Sequence, residues 1–387
     1  MIFPAEDFLT DTPKPTPLFS AAASTSEANL WTSVNGWSVA RTYISPEKEY
    51  HAAKTSAVIA DLGPLVRYAL RGVDAAGLLA RLATAPAARL APGESARGLI
   101  LDNTGSVVDL AEVSRLSSDL FLLTTPTPHA RRLQLAARGF DVNVEDITGD
   151  VAALGVFGPS AAEVLTAAGL KTPEDAIASS AVVRGVETAA RPIQFGALPG
   201  VEVIFPKDEA LTIWERLMRR SQVGPIGLDA MEVLRLESGA PRTGVDFVSA
   251  ERAHPGEARL PIEMGLPHLA PLDRGWFNGR RGLRQQGERS TRRLATLLID
   301  DDRALAGAEV RIGDKPAGRI TSCAWSPATK RVVAFADVSI TSNGKHSDIS
   351  VVTPAGALVS ARLTQTAESA LAASFRSVQN VATESGR

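Results

Sequence analysis

The chain holds one cysteine, Cys323, among 387 residues. A single thiol closes no internal disulfide and supplies no multi-cysteine structural zinc site, so a reducing compartment is expected. No apolar run approaches the roughly 18–20 residues that span a bilayer. Residues 1–15 are acidic and broken by prolines, with no basic stretch leading into an apolar one, and read as no secretory signal. A formal net charge of −2 gives no electrostatic case for nucleic acid or an anionic membrane as partner. No G-x-x-x-x-G-K-[ST] occurs, and no G-x-G-x-x-G follows a strand, so phosphate-cradling loops have no support. The five histidines, His51, His129, His254, His268 and His346, form no H-x-x-x-H or H-x-E pair, and metal-ligating residues are expected to be none. No nucleophile-elbow motif is present; a triad assembled from distant residues stays open. These absences together predict a soluble, cytoplasmic protein.

What is present is ordinary globular composition, 44% hydrophobic and 22% charged, at a length that calls for two or three domains. Residues 1–15 read as a flexible arm and residues 363–387 as a tail with weak helical periodicity. Between them, residues 119–124 (DLFLLT) and 151–157 (VAALGVF) are short apolar runs suited to buried strands. Gly158-Pro159 opens a helix in which Ser160 and Glu163 form an S-x-x-E capping box and Gly169 suits a left-handed end. Residues 208–220 place acids early and arginines late, as a helix dipole prefers. A strand over 191–205 is interrupted at 197–200 by a hairpin-like turn or bulge. This alternation predicts an α+β region over residues 16–285. Residues 294–299, 309–312, 318–322, 332–338 and 349–352 are then short strands between Asp, Gly and Pro turns. They predict a small all-β barrel or sandwich over 286–362.

The run 227–246, GLDAMEVLRLESGAPRTGVD, reads as a short amphipathic helix with Gly239 just past its end. Arg235 and Glu237 are two apart and point to different sides, so one is expected to pair inside the protein while the other faces a cavity.

Four stretches, in order, resemble the glycine-cleavage T-protein (aminomethyltransferase) family and its folate-binding relatives. Thr16-Pro17-Leu18-Phe19 with Gly36-Trp37 resembles T-P-L-[YF] … G-G-W. Gly105-Ser106-Val107-Val108-Asp109 resembles G-G-[VI]-[IL]-D-D. Leu234-Arg235-Leu236-Glu237-Ser238-Gly239, with Gly244 and Asp246, resembles L-R-L-E-A-G … Y-G-x-[DE]. Phe277-Asn278-Gly279-Arg280, Arg292-Arg293-Leu294 and Thr321-Ser322 with Ser326-Pro327 resemble F-x-G-R … R-R-L … T-S-x-x-x-S-P. The resemblance implies a three-lobed α+β fold with a C-terminal β-barrel and tetrahydrofolate as cofactor.

It also implies site residues. A pterin edge offers N–H donors that a carboxylate accepts with charge assistance, and the family's carboxylate falls on Glu202, with Phe195 as the aromatic. The family's catalytic Asp falls on Leu110. Its neighbour Asp109 remains, but successive strand residues face opposite ways, so Glu112 is the candidate that shares the Leu110 face. A family arginine is Met231 here, and a folate-contacting Asn falls on Thr125. Arg235 is either a cofactor contact or part of a buried Arg–Glu network. Trp37, Trp276 and Trp325 read as core or interface residues. Residues 281–288 can be laid on the K-G-C-[YF]-x-G-Q-E of the iron–sulfur assembly relatives, with Leu283 where that branch has its cysteine.

The expectation is a folate-binding protein of tetrahydrofolate-linked one-carbon metabolism. It is a divergent methyl- or aminomethyltransferase rather than a true glycine-cleavage enzyme, because Leu110 cannot exchange a proton or stabilise a cation. Its ligands are a folate and a small-molecule one-carbon donor. The alternative is a non-catalytic folate-binding accessory protein of iron–sulfur assembly or tRNA modification, and a protein partner stays open.

Overall fold

A computed structural model describes residues 12–170, 179–183, 186–195, 198–219, 223–286, 292–301, 304–339 and 349–364. The chain divides into two compact units, Met1–Ile100 with Asp109–Met231, and Leu101–Val108 with Glu232–Arg387. Among the described residues, no helix is long and apolar enough to cross a membrane.

The first unit is built on two larger sheets. One has six strands in the order Ser179–Val183, Val186–Phe195, Leu198–Pro206, Val151–Phe157, Ala57–Asp61 and Val223–Pro225. Strand alternation sorts its residues cleanly. Ala152, Leu154, Val156, Val201, Val203 and Phe205 bury into a core shared with the helices Phe19–Thr25, Ala161–Ala167 and Ala210–Met218. Gly155, Phe157, Gly200 and Glu202 therefore belong to the opposite face. The other sheet has five strands in the order Ser95–Leu101, Val107–Arg115, Leu120–Thr125, Val66–Arg71 and Asn143–Asp146. A third, small sheet ties down the last residues of the expected arm, because Lys14–Pro15 pairs in parallel with Trp37 and Ser38.

The hairpin-like interruption read within 191–205 is a hairpin: Val186–Phe195 and Leu198–Pro206 pair from Phe195↔Leu198 outward, so residues 198–200 already belong to the second strand. One local expectation needs correction. The Ser160 side chain makes no cap hydrogen bond. Its backbone sits at φ −94°, ψ 8° rather than in the extended region that aims an N-cap hydroxyl at the first turn. The far end of that helix does behave as read. Gly169 has φ +75°, with Leu170 N–H donating to Leu165 O and Gly169 N–H to Thr166 O, a Schellman closure.

In the second unit, Arg292–Ile299, Glu309–Ile312, Lys315–Ser326, Arg331–Ser339, Ile349–Val352 and Leu358–Leu363 close a six-stranded barrel. The sandwich alternative is thereby excluded. Lys315–Ser326 runs through a register shift between Ile320 and Ser322, and so is longer than its apolar centre suggests. The final strand escaped the sequence pattern because its leucines face out: Leu358 is 57% and Leu363 43% exposed, while Ala361 is buried. The helix Leu228–Ser238 closes on Gly239 at φ +78°, with Ala240 N–H donating to Arg235 O at 3.0 Å.

Candidate functional site

Register builds the site. Across the five-stranded sheet, Glu112 pairs with Thr124 and Thr124 with Arg67. Across the six-stranded sheet, Arg191 pairs with Glu202, Glu202 with Gly155 and Gly155 with Ala60. Side chains of these two rows meet within the first unit as an alternating chain of charge. Arg67 Nη2 donates to Glu202 Oε1 at 2.6 Å. Arg191 donates through Nε to Glu202 Oε2 and through Nη1 to Glu112 Oε1, and reaches Ser114 Oγ at 3.2 Å. All four charged residues are buried.

Two carboxylates and two guanidiniums sum to zero, which is what permits this much charge away from water. Burial by itself pushes the Glu202 carboxyl up. The neighbouring charges of Arg191 and Arg67, with their hydrogen bonds, outweigh it and hold the group at about 2. Arg191 is desolvated too, yet Glu112 and Glu202 raise its pKa. Arg67 spends its other terminal N–H groups on Leu65 O at 2.8 Å and Leu62 O at 3.0 Å. Its Nε is buried and has no hydrogen-bond partner among the described residues.

An aromatic wall stands beside the carboxylate. A Cβ on Gly155 would lie 2.4 Å from Phe157 Cε2, and one on Gly200 would lie 2.4 Å from Phe157 Cδ1. The Phe157 ring therefore covers two glycines, one across from Glu202 and one two residues before it. Phe195 lies 5.5 Å from Phe157, centroid to centroid.

Glu202, Glu112 and Phe195 are thus brought to one face of the hairpin or its facing sheet. Asp109 is not. Its strand turns it to the opposite face, where Oδ2 accepts from Thr127 N–H at 3.0 Å, Thr127 Oγ1–H at 2.6 Å and His129 Nε2 at 2.8 Å. His129 N–H donates to Tyr68 Oη at 2.7 Å. Burial, then the charges of Asp146 and Asp109, push the Tyr68 hydroxyl up to about 12. Thr125 shares this far side and its hydroxyl donates to Thr127 O at 2.8 Å, whereas Thr124 is the threonine of the Glu202 face.

Arg235 belongs to the second unit and is saturated by protein. It donates to Glu232, to Asp246 Oδ2 at 2.6 Å and to Ala240 O, and stacks on Phe335. Asp246 and Glu232 raise its pKa against the opposing effect of burial. Glu237 does point elsewhere, but onto Ser326 Oγ at 2.7 Å, so the expected opening onto a cavity is not supported by either residue's contacts. Asp246 also accepts from Thr321 Oγ1 and Ser322 Oγ. The L-R-L-E, G-x-D and T-S-x-x-x-S-P pieces are therefore one hydrogen-bonded cluster. Trp276 and Trp325 are 62% and 49% exposed, contrary to a core role. Gly287 and Glu288 lie outside the described residues.

Sequence reasoning missed Arg67, Arg191 and His129. None of the three sits in a local motif, and only contacts between residues distant in the chain show their partners.

Residues 21–265 match the family described as GCVT N-terminal domain, and residues 292–367 match the glycine cleavage T-protein C-terminal barrel domain. The chain belongs to the glycine-cleavage T-protein (aminomethyltransferase) family. An aminomethyltransferase of Xylella fastidiosa (strain M23) is 29% identical over 332 residues, covering 82% of this chain and 87% of that protein. A probable aminomethyltransferase of Haloarcula marismortui is 29% identical over 338 residues, covering 83% and 90%. The crystal structure of the glycine cleavage system aminomethyltransferase T from Bartonella henselae shares the fold. Its TM-score is 0.80 at 21% identity, over 92% of this chain and 98% of that one. Membership implies tetrahydrofolate as the cofactor of the family.

Proposed function

We propose that the protein binds tetrahydrofolate in the Glu202 region and transfers a one-carbon unit from a small-molecule donor, in a reaction other than glycine cleavage. The observation that carries this reading is Glu202 itself. A carboxylate held ionised in a buried place, at the position the family uses for its pterin contact, is an acceptor ready for a ring N–H.

The surroundings support a flat heterocycle. Glu202 Oε1 takes one protein donor and keeps acceptor capacity, and the orphaned Arg67 Nε offers a donor to a ligand acceptor. Phe157 and Phe195 supply apolar surface for a ring. Bound tetrahydrofolate would supply the amine nitrogen that takes the one-carbon unit. Glu202 would hold and orient the pterin, with Arg191 and Arg67 fixing the carboxylate. On the Leu110 face, Glu112 and Thr124 are the polar side chains of the register row; the Glu112 charge is balanced by Arg191, so Glu112 would take the family acid's part only by releasing that guanidinium, and Leu110 exchanges no proton. Asp109, bound to His129 on the far face, takes no part. Arg235 acts as scaffold. A cytoplasmic location goes with this metabolism.

Calorimetric titration with 5-formyltetrahydrofolate, a stable reduced folate, tests the shared part; no binding by the folded protein removes the reading. Methyl or aminomethyl transfer to tetrahydrofolate from amine, sulfonium and methoxy donors tests the rest. Leu110 in place of the family's acid favours one second reading, a folate-binding accessory protein without catalysis. Tight binding with no transfer from any donor would select it.

A further inference from the structure

Arg67 carries a donor that nothing among the described residues uses. The side chain is fully buried, and each terminal nitrogen has a partner: Nη1 donates to Leu65 O, and Nη2 to Leu62 O and Glu202 Oε1. Only Nε is left without one among the described residues. In the planar guanidinium the Nε–H and one Nη2–H leave along the same edge, side by side. Nη2 donates to both Leu62 O and Glu202 Oε1; with its Nε-side hydrogen on Oε1, the unused Nε–H stands next to that carboxylate oxygen. An unmet buried N–H carries a desolvation cost that a ligand acceptor would relieve.

The two oxygens of Glu202 are not equivalent. Oε2 is engaged by both Nε and Nη2 of Arg191, while Oε1 takes a single N–H from Arg67. Oε1 therefore has the open acceptor position, on the guanidinium's partner oxygen and, in that arrangement, beside the open donor. An acceptor next to a donor is complementary to a cis-amide edge, an N–H adjacent to a C=O. The pterin ring carries that edge at N3–H and the 4-oxo group. In a 4-amino pteridine the pattern is inverted: N3 loses its hydrogen and position 4 becomes a donor.

We propose that Arg67 is a specificity-determining residue that reads the 4-oxo group of the pterin, so that the site accepts 4-oxo folates and rejects their 4-amino analogues. The inference rests on the folate reading above and adds to it the part of the ring being read. Phe157 and Phe195 contact either ring equally, so they contribute affinity and no discrimination. The selection lies in the Arg67–Glu202 pair, where a 4-amino ring would oppose donor to donor and acceptor to acceptor.

Folic acid and aminopterin differ only at position 4 and make the test direct. Calorimetric titration of the wild-type protein with each should show folic acid binding on the order of a hundredfold more tightly, in the range where a site's buried polar groups reject a mismatched ligand. Arg67→Lys keeps the positive charge beside Glu202 and removes Nε, and should bring the ratio to within a fewfold of one. Equal affinities in the wild type would overturn the inference and leave a buried water as the partner of Nε. An undiminished ratio in Arg67→Lys would overturn it as well. Binding of 5-formyltetrahydrofolate without discrimination leaves the folate reading standing, whereas no binding of any folate by the folded wild type removes both. If Arg67→Lys fails to fold, the wild-type ratio alone decides.

Discussion

Glu202→Gln keeps the shape of the side chain and removes the negative charge that two guanidiniums share. The Glu202 carboxyl has an ordinary value of 4.5 and is held at about 2, a difference of roughly 2.5 units. At about 1.4 kcal/mol per unit, the ionised form is worth about 3 kcal/mol to the folded state. Removing one partner of a buried ion pair costs about 3–5 kcal/mol by an independent route, because the remaining charges stay buried. The neutral chain of four becomes +1 in the variant, with Arg67 and Arg191 facing an amide. Urea unfolding at pH 7, followed by circular dichroism, should therefore show a loss of about 3 kcal/mol. The pH dependence gives a second reading of the same quantity. The folded value lies below the unfolded one, so the contribution is present above about pH 4.5 and is lost as pH falls toward 2. The gap between wild type and variant should narrow across that window. A loss under about 1 kcal/mol at pH 7, or a gap that does not change between pH 5 and pH 2.5, would refute the electrostatic account of the site.

Gly155→Ala and Gly200→Ala should each destabilise by about 1–3 kcal/mol by pushing on the Phe157 ring, while Gly224→Ala, whose Cβ meets nothing within 4 Å, should stay near wild type in a thermal melt. Arg235→Met takes the guanidinium from buried Asp246, which keeps only neutral donors, and leaves Glu232 to Arg242; it should cost about 3–5 kcal/mol in urea unfolding, with folate affinity of the folded fraction unchanged. Burial pushes the Asp61 carboxyl up to about 6 against the hydrogen bonds from Thr16 and Gly63, so its stabilising proton is held below about pH 4 and lost as pH rises through 6. Wild type should lose stability relative to Asp61→Asn over that interval, measured as the difference in melting temperature at pH 4 and pH 7. Leu110→Asp puts a second carboxylate on the Glu112 face; it should lower the melting temperature at pH 7, with part of the loss recovered at pH 5 where the new acid protonates.

Much of the architecture was legible from the chain itself. The runs 151–157 and 309–312 became strands with those bounds, and Gly169 and Gly239 closed their helices in the left-handed region. Such features depend on periodicity and on backbone preferences that each residue carries locally. The alternation of one strand was enough to place Asp109 and Glu112 on opposite faces. The resemblance motifs were equally readable, and the structure explains their spacing: Arg235, Asp246, Thr321, Ser322, Glu237 and Ser326 bond to one another.

What the chain could not display was pairing between strands that are distant in sequence. Arg67 and Glu202 are 135 residues apart, and Arg191 and Glu112 are 79 apart. No local pattern marks such partners, because hydrogen-bond register and the stacking of one sheet on another are decided only when the whole unit folds. The same is true of Asp109, which kept the family's residue type and yet was drawn to His129, and of the Ser160 cap, which its backbone angles disabled. The sequence by itself determined the family, the strand and helix periods, and the residue at each motif position. The tertiary structure decided which of those residues are spent on one another, which oxygen of Glu202 takes the fewer donors, and that one buried N–H of Arg67 has no partner among the described residues.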